Sequence, residues 1–213
     1  MTYLRTLRLL TRTFKQHPRG ARLHVLIRFL TCPFLRTLDS VKQGVRILDI
    51  GAGHGIFAAL AMESGADSVV AVEPDLRKSF LPFPIPSVRF VGGFDDSIRG
   101  TFDVVVIYDA TYRIPVSERE GLFQRAFDRV RPGGLFVLKD LDPEARLKFA
   151  WARMQEFISD HLLGVSLGEG FVYDTRAEVQ ARMERAGFVD FRSRRVDRGY
   201  PHSHIVYTSR KPE

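Results

Sequence analysis

Two carboxylates stand where apolar runs give way to loops. Asp49 closes the run in "ILDIGAGHG" and is followed by glycines at every second position, Gly51, Gly53 and Gly55. Glu73 ends the next such run, in "VVAVEPD", 18 residues past Gly55. Glycines at this spacing permit a tight turn and let backbone approach a ligand closely. A dinucleotide fingerprint would need a further glycine at position 56, where Ile56 stands. A carboxylate at the end of the first strand also repels a pyrophosphate and attracts a cation. The loop therefore reads as a cradle for a positively charged ligand that carries no phosphate.

Three further groups could do chemistry. "YDATYRIP" delivers Asp109, Tyr112 and Arg113 from the end of another apolar run. Asp109 serves either as a polar contact for a substrate or as a loop cap bonded to backbone N–H groups. Lys139 and Asp140 end "GGLFVLKD", and Asp140 either faces a cavity or pairs with Lys139. His202 and His204 in "YPHSHIVY" share a face by strand alternation. As a metal site they would need a third ligand, and none stands out. Either is a substrate contact or base, or a surface histidine. The single cysteine, Cys32, leaves no disulfide framework and reads as a small buried hydrophobe.

The elements that must position these residues alternate. Strands are expected at 45–50, 68–72, 88–91, 102–108, 135–138, 188–192 and 203–208. The fourth, "FDVVVIY", is nearly all apolar, as a strand covered on both faces should be. Helices are expected from Ile56 to Ser64, from a capping box at Ser117 and Glu120, from Asp142 and Pro143 to before Gly164, and from a second capping box at Thr175 and Glu178. The pattern predicts an α/β fold: a doubly wound, mostly parallel, seven-stranded sheet with the last strand antiparallel, plus an N-terminal helical arm. Ligands of such sheets lie at the carboxyl ends of the strands.

From about Val45 onward, "ILDIGAGHG", "VVAVEPD", "FDVVVIYDATYRIP" and "RVRPGGLFVLKD", in that order and spacing, resemble the class I S-adenosylmethionine-dependent methyltransferases of the small-molecule type. The resemblance implies S-adenosylmethionine as cofactor, whose ammonium and sulfonium suit the acidic cradle. It implies that Asp49, Gly51, Ala52, Gly53 and Gly55 surround the methionine part, with Asp49 reaching the amino group through water. It places Glu73 on both ribose hydroxyls, Pro74 beside the adenine, Asp95 or Asp96 on the adenine amino group with Phe94 against the ring, and Tyr108 at the end of the fourth strand. Asp109, Tyr112 and His202 are the expected catalytic residues, with Tyr112 and Arg113 where related enzymes often carry two histidines. The Asn/Asp-Pro-Pro-Tyr/Phe loop of amino-group methyltransferases is missing.

These features divide the chain into a basic helical arm or cap at 1–44 and a methyltransferase domain at 45–213, with a helical lid insert at 142–173. The insert is rich in apolar residues, among them Trp151, Phe157 and Leu162, and implies a small lipidic or aromatic acceptor methylated on oxygen or carbon. The arm holds nine basic residues against one acid, a net +8, whereas the whole chain carries +7. The rest is therefore close to neutral, unlike a domain with a nucleic-acid face. Along residues 3–15, Tyr3, Leu7, Leu10 and Phe14 share one helical face, opposite Arg5, Arg8, Arg12 and Lys15. Residues 1–16 are read as a cap over the cofactor site, with peripheral contact to an anionic membrane as a second role. A reducing cytoplasm fits the cysteine usage. An RNA or protein methyltransferase that uses the basic arm, and a non-catalytic protein that binds the cofactor, remain the alternatives.

Overall fold

The structure, a computed structural model, describes residues 2–75, 78, 83–94, 97–145, 148 and 172–213. Asp95, Asp96 and all but the two ends of the expected lid insert (residues 146–147 and 149–171) lie outside these residues.

Seven strands form one sheet in the order β3-β2-β1-β4-β5-β7-β6. They are β1 (Arg46–Ile50), β2 (Ser68–Val72), β3 (Val88–Val91), β4 (Phe102–Tyr108), β5 (Val130–Leu141), β6 (Val189–Arg195) and β7 (His204–Arg210). Strands β1 to β5 pair in parallel, and β7 runs antiparallel to both β5 and β6. Pleating sends successive residues to opposite faces, and both faces are buried. Ile47, Val104 and Val106 join one core with α3 (Ile56–Glu63) and the N-terminal helices. Leu48, Val105 and Ile107 join the other with α4 (Val116–Arg129) and α5 (Arg176–Arg185). This is why β4 tolerates no polar residue between Val104 and Ile107.

The arm folds as α1 (Tyr3–Thr13), α2 (Arg19–Thr31) and a 3-10 turn at Phe34–Ser40. Leu10 and Phe14 are buried on the body, Phe14 edge-on to Phe83 with ring centroids 6.0 Å apart, while Arg8, Arg12 and Lys15 remain exposed. Burial of two such side chains stabilises docking by roughly 3–6 kcal/mol. The exposed Arg5–Glu63 pair, at 2.7 Å, adds about 1 kcal/mol or less. Apolar packing thus holds the arm, and its charges face water.

Two local expectations need correction. Helix α4 begins at Val116 after Pro115 with no side-chain cap, so the Ser117 box does not form. Pro115 already presets the backbone for helix entry. Strand β5 also starts earlier than expected, at Val130: Phe102 pairs with Val130 and Val104 with Leu135, so residues between them bulge out. Gly133 takes φ +67 in this bulge, and at Gly134 a Cβ would lie 2.7 Å from Val130. The glycines therefore belong to the strand's irregularity. The Thr175–Glu178 box forms as expected, each side chain capping the other residue's N–H.

Candidate active site

Parallel pairing sets Asp49 beside Val106 and Ile50 beside Ile107, so β1 and β4 end together. The glycine loop leaves β1 at this edge. Gly51, Gly53 and Gly55 all adopt positive φ, at +79, +56 and +80. A Cβ on Gly51 would stand 2.6 Å from the Cβ of Ala110, whereas one on Gly53 would meet nothing within 4 Å. Open space therefore lies beside Gly53.

The loop is pinned from behind by Glu73. One carboxylate oxygen accepts the Gly53 N–H at 2.8 Å and the other the Asp75 N–H at 3.0 Å. Each oxygen keeps lone-pair capacity for a ribose hydroxyl. Asp49 is buried, and its Oδ2 has no hydrogen-bond partner. Burial, and then the nearby Glu73 charge, push its carboxyl up to about 7. An unanswered buried carboxylate beside an open glycine turn fits the ammonium of an amino acid and does not fit a pyrophosphate. The donor set matches S-adenosylmethionine on this ground.

A second polar cluster forms across the β4 end. Asp109 is buried in the left-handed region at φ +52. Its Oδ2 accepts from Arg28 Nη2 at 2.8 Å and from the buried Lys139 ammonium. Burial alone would raise the Asp109 carboxyl, but Lys139 and then Arg28 hold it well below the usual carboxylate range. His204 is buried beside it, its Nδ1 3.9 Å from Asp109 Oδ1. Burial and then Lys139 push His204 down to about 3. Thr111 donates its hydroxyl to Asp140, which burial and then Asp109 raise to about 7.

The other expected residues fall as follows. Tyr112 is buried and stacks on Tyr173, with centroids 4.9 Å apart and planes at 24°. His202 is half-buried, its ring 6.0 Å from that of His204. Tyr108 packs edge-on against Phe57 and donates its hydroxyl to the Thr37 carbonyl at 3.4 Å. Pro74 is exposed and Ala52 half-buried. Phe94 lies beneath the guanidinium groups of Arg125 and Arg129, at 5.8 and 5.9 Å. Asp95 is outside the described residues. Among the described residues no three His, Cys, Asp or Glu side chains gather as a metal would need.

Three contributors were not expected from sequence: Arg28 as an active-site residue, Lys139 as the buried partner of Asp109 rather than of Asp140, and His54. The His54 ring lies 4.9 Å from that of His24, one helical turn before Arg28 in α2. The signal for Arg28 and Lys139 was a lone cation inside an apolar run, in "VLIRFL" and "FVLKD". Lysine and arginine are almost never fully buried without a partner.

A family model described as "Methyltransferase domain" matches residues 7–191. A curated relative, the ribosomal protein L11 methyltransferase of Acetivibrio thermocellus, is 35% identical over 98 residues, which cover 39% of this chain and 31% of that protein. The chain thus spans about a third of that relative's length. Among solved structures, the S-adenosylmethionine-dependent methyltransferase SibL in its apo form superposes with a TM-score of 0.68 at 19% identity, covering 96% of this chain and 62% of that one. The Burkholderia thailandensis 1,6-didemethyltoxoflavin-N1-methyltransferase, with its substrate and S-adenosylhomocysteine bound, superposes with a TM-score of 0.62 at 19% identity, covering 100% and 92%. These structures share the fold, and by the match over residues 7–191 the chain belongs to the methyltransferase-domain family.

Proposed function

We propose that the protein transfers a methyl group from S-adenosylmethionine to oxygen or carbon of a small apolar or aromatic acceptor. The observation that carries this reading is the contact of Gly51 with Ala110, which sets the cofactor loop one residue from Asp109 on one side and one from the Thr111–Arg113 turn on the other. The stacked Tyr112–Tyr173 pair supplies aromatic surface on the acceptor side.

When bound, S-adenosylmethionine supplies an electrophilic methyl group on a positively charged sulfur. Asp49 and the glycine turn hold the amino-acid end, and Glu73 fixes the loop that receives it. The strand-end residues of β4 place the acceptor. Placement in line is most of what such a displacement requires.

The arm extends the proposal to a membrane surface. Leu4, Leu23, Ile27 and Leu30 are all at least 49% exposed, and Arg5, Arg8, Arg12, Arg19 and Arg22 are exposed as well. Apolar side chains set among cations suit an anionic bilayer surface. No helix among the described residues is long and apolar enough to cross a membrane.

A second reading, methylation of a protein, is favoured by the partial likeness to the ribosomal protein L11 methyltransferase. One experiment separates the two. Pure protein is incubated with methyl-labelled S-adenosylmethionine and cell extract, and the products are split into organic-soluble, nucleic-acid, protein and water-soluble fractions. Label in the organic fraction is expected; label in protein or RNA overturns the acceptor class.

A further inference from the structure

One cation beside the site is only half answered. Arg28 donates Nη2 to Asp109 at 2.8 Å, and among the described residues its Nε and Nη1 make no hydrogen bond. About a third of the side chain is exposed, so those donors meet water. The Asp109 carboxylate is shared with the buried Lys139 ammonium, one negative charge against two positive ones. Asp140 adds no charge on this side. Strand pleating puts Lys139 on the face of Val137, in the core shared with the arm, and Asp140 on the face of Leu138, in the other core.

More basic groups gather around Arg28. His24 lies one helical turn before it in α2 and is exposed, its ring centroid 4.9 Å from that of half-buried His54 in the glycine loop. Exposed Arg113 ends the turn after β4, its guanidinium over the Tyr112 ring at 5.4 Å. Burial, then Arg28, Lys78 and Arg113, lowers the His24 imidazole. Burial, then His24, Lys78, His17 and Arg28, pushes His54 down to about 4. The nearby acids are engaged. Glu73 accepts from the Gly53 and Asp75 N–H groups, and Lys78 stands 3.8 Å from Glu73 and 3.9 Å from Asp75. Asp49 is assigned above to an ammonium. A Cβ on Gly53 would meet nothing within 4 Å, so the chain leaves open space next to His54.

These groups run from the cofactor loop to the acceptor turn. A neutral apolar acceptor covering Arg28 would strip water from its two unbonded nitrogens and offer no hydrogen bond in return. It would do so close to a sulfonium, a further positive charge. An anionic oxygen group reverses both effects. The guanidinium fork matches a carboxylate or a phosphate, and each neutral imidazole adds a ring N–H.

We propose that Arg28, with His24, His54 and Arg113, binds an anionic oxygen group, carboxylate or phosphate, carried by the acceptor. This rests on the methyltransferase reading above and narrows its acceptor from any small apolar or aromatic molecule to an acid. Asp109 acts as a positioning residue: it holds the guanidinium by Nη2 and leaves the other nitrogens for the ligand. An anion beside the two imidazoles favours their protonated forms, so binding takes up protons and tightens as pH falls below 7.

The test uses the full chain saturated with S-adenosylhomocysteine, whose own carboxylate is then in place. Benzoate, inorganic phosphate and neutral benzamide are titrated at pH 6.5 and constant ionic strength, read by nitrogen-15 NMR of the histidines. Benzoate or phosphate should shift His24 and His54 with saturation, the tighter of the two naming the group, and benzamide should not. The double variant His24→Gln, Arg113→Gln changes exposed side chains only and should keep its melting temperature while binding about tenfold more weakly. Arg28→Lys keeps a cation for Asp109 but loses the fork, and should weaken binding similarly. Shifts without saturation, equal binding of benzamide, or undiminished binding by both variants overturns the proposal. So does release of S-adenosylhomocysteine as benzoate is added, which gives the cluster to the cofactor's carboxylate. In a second arm, ultrafiltered cell extract is divided on an anion-exchange resin, and each part is incubated with methyl-labelled S-adenosylmethionine. Label should appear with the retained part, and label only with the flow-through overturns the proposal. No label with either part sinks the small-molecule methyltransferase reading, while the titration still decides the anion site.

Discussion

Gly51 and Ala110 meet so closely that a Cβ on Gly51 would lie 2.6 Å from the Ala110 Cβ, and Gly51 also holds φ +79. This contact locks the cofactor loop to the end of β4. Gly51→Ala must place a methyl group where backbone-anchored carbon already sits. The left-handed conformation alone costs about 1–2 kcal/mol for a non-glycine residue. The variant should lose at least about 2 kcal/mol in urea unfolding and bind S-adenosylhomocysteine too weakly for calorimetry. Unchanged affinity would mean that the loop does not cradle the cofactor.

The proposed contact of Asp49 with the cofactor's ammonium predicts pH-dependent binding. The Asp49 carboxyl is raised to about 7 in the folded chain, above its ordinary value of 3.8. The ammonium of the ligand needs the ionised form, so affinity should tighten as pH rises from 5.5 towards 7 and then level off. The slope is at most about tenfold per pH unit. The same shift means that the unliganded fold holds a proton that the unfolded chain has released, so the Asp49 contribution to stability declines as pH rises from about 4 to 7. Calorimetry of S-adenosylhomocysteine across this window should show both weaker binding and a flatter profile in Asp49→Asn.

Lys139 is fully buried and Asp109 nearly so. Removal of one partner from a buried pair leaves an uncompensated charge and costs about 3–5 kcal/mol. Lys139→Met should show that loss in urea unfolding, reduced by the remaining Arg28 contact. Asparagine tolerates the left-handed conformation that Asp109 adopts, so adding Asp109→Asn should restore part of the stability. A double variant no more stable than Lys139→Met would remove the ion pair as the cause.

The exposed face of the arm predicts binding to vesicles. The protein should co-sediment with anionic liposomes, less so as salt rises, and not with neutral ones. The combined variant Leu23→Ser, Ile27→Ser and Leu30→Ser alters exposed side chains only, so it should keep its fold and lose the binding. Equal sedimentation of the variant, or none by the wild type, would leave the arm as a cap alone.

The sheet was legible in the sequence because most of its strands are short apolar runs, as in "FDVVVIY", and several of them meet a glycine at one end. The glycine turn pinned by Glu73 was legible because Asp49, the alternating glycines and Glu73 lie close together in the chain. The acceptor cluster was not. Arg28, Asp109, Lys139 and His204 come from α2, the β4 end, β5 and β7, and only folding brings them together. Alternation did put His202 and His204 on one side, but it could not show that His204 turns inward against Asp109. Nor could the apolar periodicity of α2 reveal that its one inward arginine answers a carboxylate 81 residues away.

The arm is joined to this cluster by more than packing, since Arg28 donates to Asp109 and the Thr31 carbonyl receives the His204 ring. Lifting α2 would strip Asp109 of a cation and release the imidazole from its tautomer in one motion. Truncation of the N-terminus would thus read out as a chemical lesion, and any surface that grips α2 gains leverage over the state of charge at the end of β4.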